Sequence, residues 1–439
     1  VTKVKDGHTV ENTATQVTND RRDKTNTVTN PLKEINPTKD VTVKVGGDSI
    51  DGKSVYLNHT FLYRLDSSIL PPGRAYQTVT DWGGTDQLAT EYDQYLGNWA
   101  VYASRDLYRD GQVLAAKGEK IAGSGFDSSK FGGNLFTVDA DENGKVTADA
   151  TQAYLDLVSA DNEHEAGWVL YLQCKRIAVA DEVPNTWTET INGQPRESNK
   201  VVTKTPDMTP SIHLEKVDTP TLKQDGQEQA DRDDPKQALK MDADSIGITF
   251  IITNTSKTDP ATGDGAWFKA SDLNLADSTI VGDAHVDMDS LTYPADWDTL
   301  VLKPGESVSV TGTLKGVKEG DTHTDRAIVT GTPLVECAPS NGDPFNDKTD
   351  GGEDTDPEYS TGDVTEIDGK QLCADTQTAS NTDDWNGYRA KPLASTGVAV
   401  LGLAGGALAV LLAGGSLLVF RKRHYAQGSG RHTAVNAGK

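Results

Sequence analysis

Short runs of alternating apolar and polar residues, separated by turn pairs, dominate the first 390 or so positions. "TKDVTVKV" puts Lys39, Val41, Val43 and Val45 on one face and Asp40, Thr42 and Lys44 on the other. That period of two predicts a half-buried strand whose first apolar-face position is a lysine. "NHTFLYRLD", "NWAVYASRDLY" and "GWVLYLQCKRIAV" predict further strands, punctuated by Asp51-Gly52, Asp110-Gly111 and Asn143-Gly144. "VPNTWTETING" aligns Val183, Asn185, Trp187 and Ile191 before the Asn192-Gly193 turn, so an asparagine stands among apolar neighbours.

A second set begins near residue 209 with "SIHLEKVD", "SIGITFIITNTS", "LKPGESVSVTGTLKG" and "HTDRAIVTGTP". Val308, Val310 and Leu314 share a face there, as a small antiparallel sandwich requires, and no amphipathic helix of useful length is visible. The fold class read from these patterns is all-β: tandem β-sandwich domains followed by a carboxyl-terminal transmembrane helix. Its segments are a first sandwich at 35–208 and a second at 209–373. Residues 374–392, almost without apolar content, read as an extended tether.

Residues 1–34 read as the remnant of a preceding domain plus a linker. "VENTATQVTND" at 10–20 recurs as "VPNTWTETING" at 183–193, and each copy is followed by an Asn-rich strand, "TNTVTN" or "SNKVV". With neither an initiator Met nor a leader at residue 1, the body of that earlier domain is expected upstream.

At the other end, Val398 to Phe420 carries no charge and is long enough to cross a bilayer core as a helix. Arg421, Lys422 and Arg423 follow at once, which predicts a basic cytoplasmic tail over 421–439.

Charge narrows the partners. The formal net charge is −24, and the residues after Gly397 contribute five cations and no acid, leaving −29 on the rest. Such a surface repels nucleic acid, which is excluded as a partner. Three cysteines are too few for a stapled scaffold. Cys174 sits in an apolar run as a small hydrophobe, while Cys337 and Cys373 flank a polar stretch as a disulfide candidate, two free thiols being the alternative.

Catalytic motifs are missing: the eight histidines form no HExxH pair, and neither a phosphate-cradling loop nor a nucleophile elbow is present. The chain is read as no enzyme, with no required cofactor. Asp343, Asp347, Asp350, Asp354 and Asp356 offer carboxylates to a structural Ca2+, although they lack EF-hand spacing and solvated acidic loops are commoner than sites.

Chemistry of another kind is open to a lysine, an asparagine and an acid set against a strand core. Desolvation drives a buried amine toward its neutral, nucleophilic form, and such an amine can attack an Asn side-chain amide. From pattern alone the plainer reading is that Lys39 snorkels at a strand end and Asn185 caps a turn.

Residues 35 to about 207 resemble the C-terminal adherence domains of the streptococcal antigen I/II adhesins. The resemblance rests on "NPTKDV", "DGKSV", "PPGRA", "DQYLGNWAVYA", "GWVLYLQCKRIAV" and "VPNTWTETINGQPRESNKVV", in the family's order. It implies an intramolecular isopeptide bond between Lys39 and Asn185 with Asp86 as the assisting acid, and Asn12 as the equivalent of Asn185 in the truncated copy. The acid-bearing segment "DWGGTDQLATEYDQY" departs from the family's denser Asp cluster, so Asp81 and Asp93 stay open for that role.

Residues 209–385 loosely resemble DUF11-like immunoglobulin-type surface repeats. Lys216 echoes Lys39 there, but no Asn partner is evident and no second bond is expected. "LASTG", Leu393, Ala394, Ser395, Thr396 and Gly397, resembles with the apolar span and basic tail the LPXTG-type sorting signal of Gram-positive bacteria, with Ala394 in place of the usual Pro. It implies that sortase cuts after Thr396 and joins that residue to peptidoglycan, an uncleaved membrane anchor being the alternative.

Together these resemblances imply a wall-anchored adhesin that attaches to a host or bacterial surface glycoprotein or matrix protein. The alternatives are a pilin-like subunit, for which a "YPKN"-type lysine motif is missing, and the stalk of a wall-anchored enzyme whose catalytic domain lies before residue 1.

Overall fold

A computed structural model describes residues 9–31, 34–74, 78–220, 223–224, 227–228, 231–339, 342–345 and 364–392. Residues 9–31 form two short antiparallel pairings, Thr9–Asn12 with Val28–Pro31 and Thr15–Thr18 with Arg21–Lys24, whose described side chains are exposed.

The first sandwich is built from two five-stranded sheets that share one apolar core. One sheet runs Lys120–Gly123, Asp93–Ala103, Trp168–Arg176, Thr60–Asp66 and Thr38–Thr42, in that spatial order. The facing sheet runs Phe136–Ala140, Lys145–Ala150, Trp82–Gln87, Trp187–Ile191 and Gln194–Glu197. Trp82, Trp168 and Trp187 meet between the sheets with ring centroids 5.7 to 6.1 Å apart, which fills the centre with large apolar area.

Trp168–Arg176 is apolar almost without alternation because it is covered on both faces. Its outer side, with Leu62, Ala100 and Tyr102, packs around Phe345. That phenylalanine comes from the loop closed by the Cys337–Cys373 disulfide. Lys120 Nζ donates to the Phe345 carbonyl at 2.8 Å and Gln173 Nε2 to the Gly342 carbonyl at 3.1 Å, so the loop hooks onto the first sandwich. Cys174 is a buried free thiol, as its apolar setting predicts.

The second sandwich pairs a sheet of Ile212–Thr219, Ser245–Asn254, Ser307–Lys315 and His285–Val286 with one of Leu239–Lys240, Ala379–Tyr388, Thr322–Gly331 and Asn274–Val281. Residues from both sheets form its core, including Phe250, Val310, Val329 and Trp385.

Several expectations need correction. The segment read as a tether, 374–392, contains the ten-residue strand Ala379–Tyr388, so the second sandwich extends past 373. It was hidden because its buried positions are mostly polar or small, namely Asp383, Asn386 and Gly387, with Trp385 supplying the apolar anchor. Trp385 Nε1 donates to Asp218 on the first strand at 2.7 Å, satisfying its one polar atom.

The strand from Thr38 ends at Thr42 rather than continuing through Val45, and Val43 is 57% exposed. One α-helix, Gln152–Ala160, also stands among the predicted strands, burying Tyr154, Leu155 and Val158 along one face. No helix among the described residues is long and apolar enough to cross a membrane, and the predicted span 398–420 lies outside them.

Candidate functional site

Lys39 lies on an edge strand of its sheet, with the neighbouring Thr60–Asp66 strand supplying Tyr63 beside it. Its backbone is held from the other side by Asn199, whose Oδ1 accepts from the Lys39 amide at 2.9 Å and whose Nδ2 donates to the Lys39 carbonyl at 2.9 Å. Thr38 accepts from Trp187 Nε1 at 3.0 Å. With both backbone flanks fixed, the lysine side chain is directed inward and is fully enclosed.

Inside, Lys39 Nζ donates to Asp86 Oδ2 on the facing sheet and lies 4.4 Å from the Tyr63 ring centroid. Burial pulls the amine below the ordinary lysine range, and the Asp86 carboxylate works against that shift. Asp86 is itself buried, and its Oδ1 has no hydrogen-bond partner.

Asn185 is the last residue of Ala180–Asn185, a strand that pairs with Val201–Thr205 just before the chain enters the facing sheet at Trp187. It is 5% exposed, and its side-chain amide closes no hydrogen bond of good geometry, with the Tyr63 hydroxyl as its polar neighbour. Its nearest polar influence falls on the Tyr63 hydroxyl, where burial and Asp93 raise the phenol well above its usual range and Asn185 acts in the opposite sense. Tyr63 therefore borders both Lys39 and Asn185. An unsatisfied buried amide is costly, so it is a feature that asks for a reason.

The acid alternatives have different contacts, although the charge of Asp93 also acts on Lys39. Asp93 binds Arg176 Nε at 2.9 Å and accepts from Tyr63 at 2.8 Å, with burial raising its pKa against the pull of the guanidinium. Asp81 receives the Gly193 amide at 3.0 Å and so serves the Asn192-Gly193 turn. Asp86 is the acid brought to Lys39.

Sequence reasoning missed Tyr63, Asn199 and Arg176, and also Glu189. Glu189 is fully buried on the Asn185 face of the alternating run, where its Oε1 accepts from Ser68 N and Trp82 Nε1. The strict alternation through 183–191 was the signal for Glu189, and the Asn-rich strand that follows each repeat copy, "SNKVV" after the second, was the signal for Asn199.

Of the proposed calcium ligands, Asp343 is engaged locally, accepting from the Phe345 amide at 2.8 Å. Asp347, Asp350, Asp354 and Asp356 lie outside the described residues, as do Leu393 to Gly397. Among the described residues no group of three or more metal-ligating side chains gathers.

Paired sheets around an enclosed lysine–aspartate pair, with a buried asparagine where the chain enters the facing sheet, define a β-rich sandwich domain. The family described as cell surface antigen C-terminus matches residues 36–206, and the cell surface antigen I/II C2 terminal domain matches residues 1–32.

The aggregation substance of Enterococcus faecalis is 37% identical over 201 residues, which is 45% of this chain and 14% of that protein. The chain thus spans about a seventh of the length of the curated relative it matches.

Among solved structures, the C-terminal domain of a Streptococcus pyogenes antigen I/II-family protein is 28% identical, covering 45% of this chain and 54% of that one at a TM-score of 0.39. The C-terminal domain of a Streptococcus agalactiae antigen I/II polypeptide is 24% identical, with 45% and 59% covered at the same TM-score.

Residues 1–32 and 36–206 are thus similar to C-terminal domains of cell surface antigens of the antigen I/II type. These relatives are described as cell surface antigens and an aggregation substance.

Proposed function

We propose that the chain forms part of the stalk of a Gram-positive surface adhesin, in which Lys39 and Asn185 are joined once by an isopeptide bond assisted by Asp86. The observation that carries this reading is the enclosed Lys39 amine in contact with Asp86 and beside Tyr63, the same tyrosine that the buried Asn185 amide adjoins.

Burial favours the neutral amine, which adds to the Asn185 side-chain carbonyl carbon. The new N–C bond replaces the bond to the amide nitrogen, which leaves as ammonia, and Asp86 carries the proton between them. A cross-link enclosing about 146 residues adds about 5 kcal/mol on the chain-entropy account used for disulfides. Unlike a disulfide, it is indifferent to reductant.

Beyond the described residues, the same reading has sortase cut after Thr396 and join that residue to peptidoglycan. The apolar span 398–420 and the basic tail hold the precursor in the membrane until then. The displayed chain attaches to a glycoprotein or matrix protein on a host or bacterial surface.

The bond is tested by intact mass. After reduction of the disulfide, Lys39→Ala and Asn185→Ala are each expected to shrink the wild-type mass deficit, measured against each chain's own sequence mass, by one ammonia. An unshifted wild-type mass sinks the proposal.

A further inference from the structure

The second sandwich encloses a lysine as completely as the first. Lys216 lies on the Ile212–Thr219 strand with no side-chain exposure, its Nζ 5.5 Å from the Phe250 ring centroid. The amine donates to Asp277 Oδ2 and stands 2.7 Å from Asp325 Oδ2. Asp277 and Asp325 belong to neighbouring strands of the facing sheet, and their side chains are 2% and 0% exposed. His323 completes the cluster, with Nε2 3.1 Å from Asp325 Oδ2.

Nearby asparagines are engaged elsewhere. Asn386 donates to the carbonyls of Arg232 and Asp233 and accepts from Thr324, and Asn254 donates to the carbonyls of Ala266 and Leu302. Asn381 accepts from the Leu214 amide. Among the described residues, the electrophiles in contact with the Lys216 amine are the carboxyls of Asp277 and Asp325.

Beside a neutral His323, one ammonium between two buried carboxylates leaves a negative charge uncompensated, which a dry core tolerates poorly. A proton on one acid removes that charge, and burial together with the Asp325 charge raises the pKa of Asp277 despite the opposing pull of Lys216. Asp325 Oδ2, 2.7 Å from the amine, is placed to receive its proton.

We propose that Lys216 forms an amide with the side chain of Asp277, a covalent strut between the two sheets of the second sandwich, with Asp325 as the proton acceptor. The Lys216 ammonium gives one proton to Asp325. The resulting amine attacks the carboxyl carbon of protonated Asp277, forming the N–C bond and breaking the bond to the hydroxyl. That hydroxyl takes a second proton from the nitrogen and departs as water, leaving a neutral amide and a protonated Asp325. No oxidant or other reactant is needed. The site shares no residue with Lys39, Asp86 and Asn185, so either bond stands or falls without the other.

The test is a peptide map of the full chain, reduced and digested, read by tandem mass spectrometry. A branched peptide joining Lys216 to Asp277, lighter than its two arms by one water, is expected. Asp277→Asn should give the same branched peptide with ammonia lost instead, because the product amide is identical. Asp325→Asn should abolish the branch while circular dichroism still reports a folded chain. Unlinked Lys216 and Asp277 peptides from the wild type, or a branch at Asp325, overturn the proposal. A branch that persists in Asp325→Asn overturns the role of Asp325. Should a variant fail to fold, the wild-type map alone decides whether the strut exists.

Discussion

Asp383 faces the core side of the Ala379–Tyr388 strand and accepts from the Lys216 backbone amide. Burial pushes its pKa to about 6, and the same cause, with the charge of Asp383, pushes the more exposed Asp233 to about 7. A carboxyl with a folded pKa above its unfolded value holds its proton more tightly in the fold. Its stabilising contribution is complete below the ordinary carboxylate range and is lost as pH rises through about 6 to 7. The unfolding temperature of the second sandwich should therefore decline across that window. Asp233→Ala should flatten the decline and, by removing a hydrogen bond that lowers Asp383, raise the Asp383 midpoint in a carboxyl-detected NMR titration. A midpoint that does not move would show that the two acids are not coupled.

At the level of elements, the strand that presents Asp86 depends on a residue with no side chain. A Cβ on Gly84 would stand 2.6 Å from the Trp187 ring and 2.5 Å from the Thr188 carbonyl oxygen, one strand away. Gly84→Ala must push these strands apart and should cost about 1–3 kcal/mol as an overpacked core position. Chemical denaturation measures it, and a variant as stable as the parent would show that the sheet yields freely.

The alternation that places Asn185, Trp187 and Ile191 on one face was legible in the sequence, and all three are buried. What alternation did not reveal is that the chain changes sheets between Asn185 and Trp187, since the period runs on undisturbed through the switch. The Ala379–Tyr388 strand was illegible for the opposite reason: its inward residues are polar, and their partners lie on strands remote in sequence. Asp277 and Asp325 escaped notice likewise, because acids alternating in a strand read as its wet face until the facing lysine is known. Lys39 and Asp86 were recognised through family motifs, not through spacing.

Over the whole described region, the two sandwiches touch in two places. Ser54 donates to Asp259 at 2.7 Å and Tyr56 to Asp264 at 3.0 Å near the connecting segment. Farther away, the disulfide-closed loop sets Phe345 into the apolar cluster formed with Tyr102 and Tyr171. Phe345→Ala removes that anchor and should weaken the contact by about 3 kcal/mol, the cost of truncating a well-packed phenylalanine. Small-angle scattering should then record a broader distance distribution, and reduction of Cys337–Cys373 should act in the same direction. Identical scattering from variant and parent would mean that the hook does not hold the pair.

The position of Ala379–Tyr388 also sets an order of events in time. This strand lies between Leu239–Lys240 and Thr322–Gly331, and it carries Trp385 into the core. Until its residues have emerged from a ribosome or an export channel, Thr322–Gly331 presents an unpaired edge, and such edges recruit strands from other chains. Closure of the second sandwich therefore waits on its final ten residues, and crowding of nascent chains is most hazardous in the interval just before they arrive.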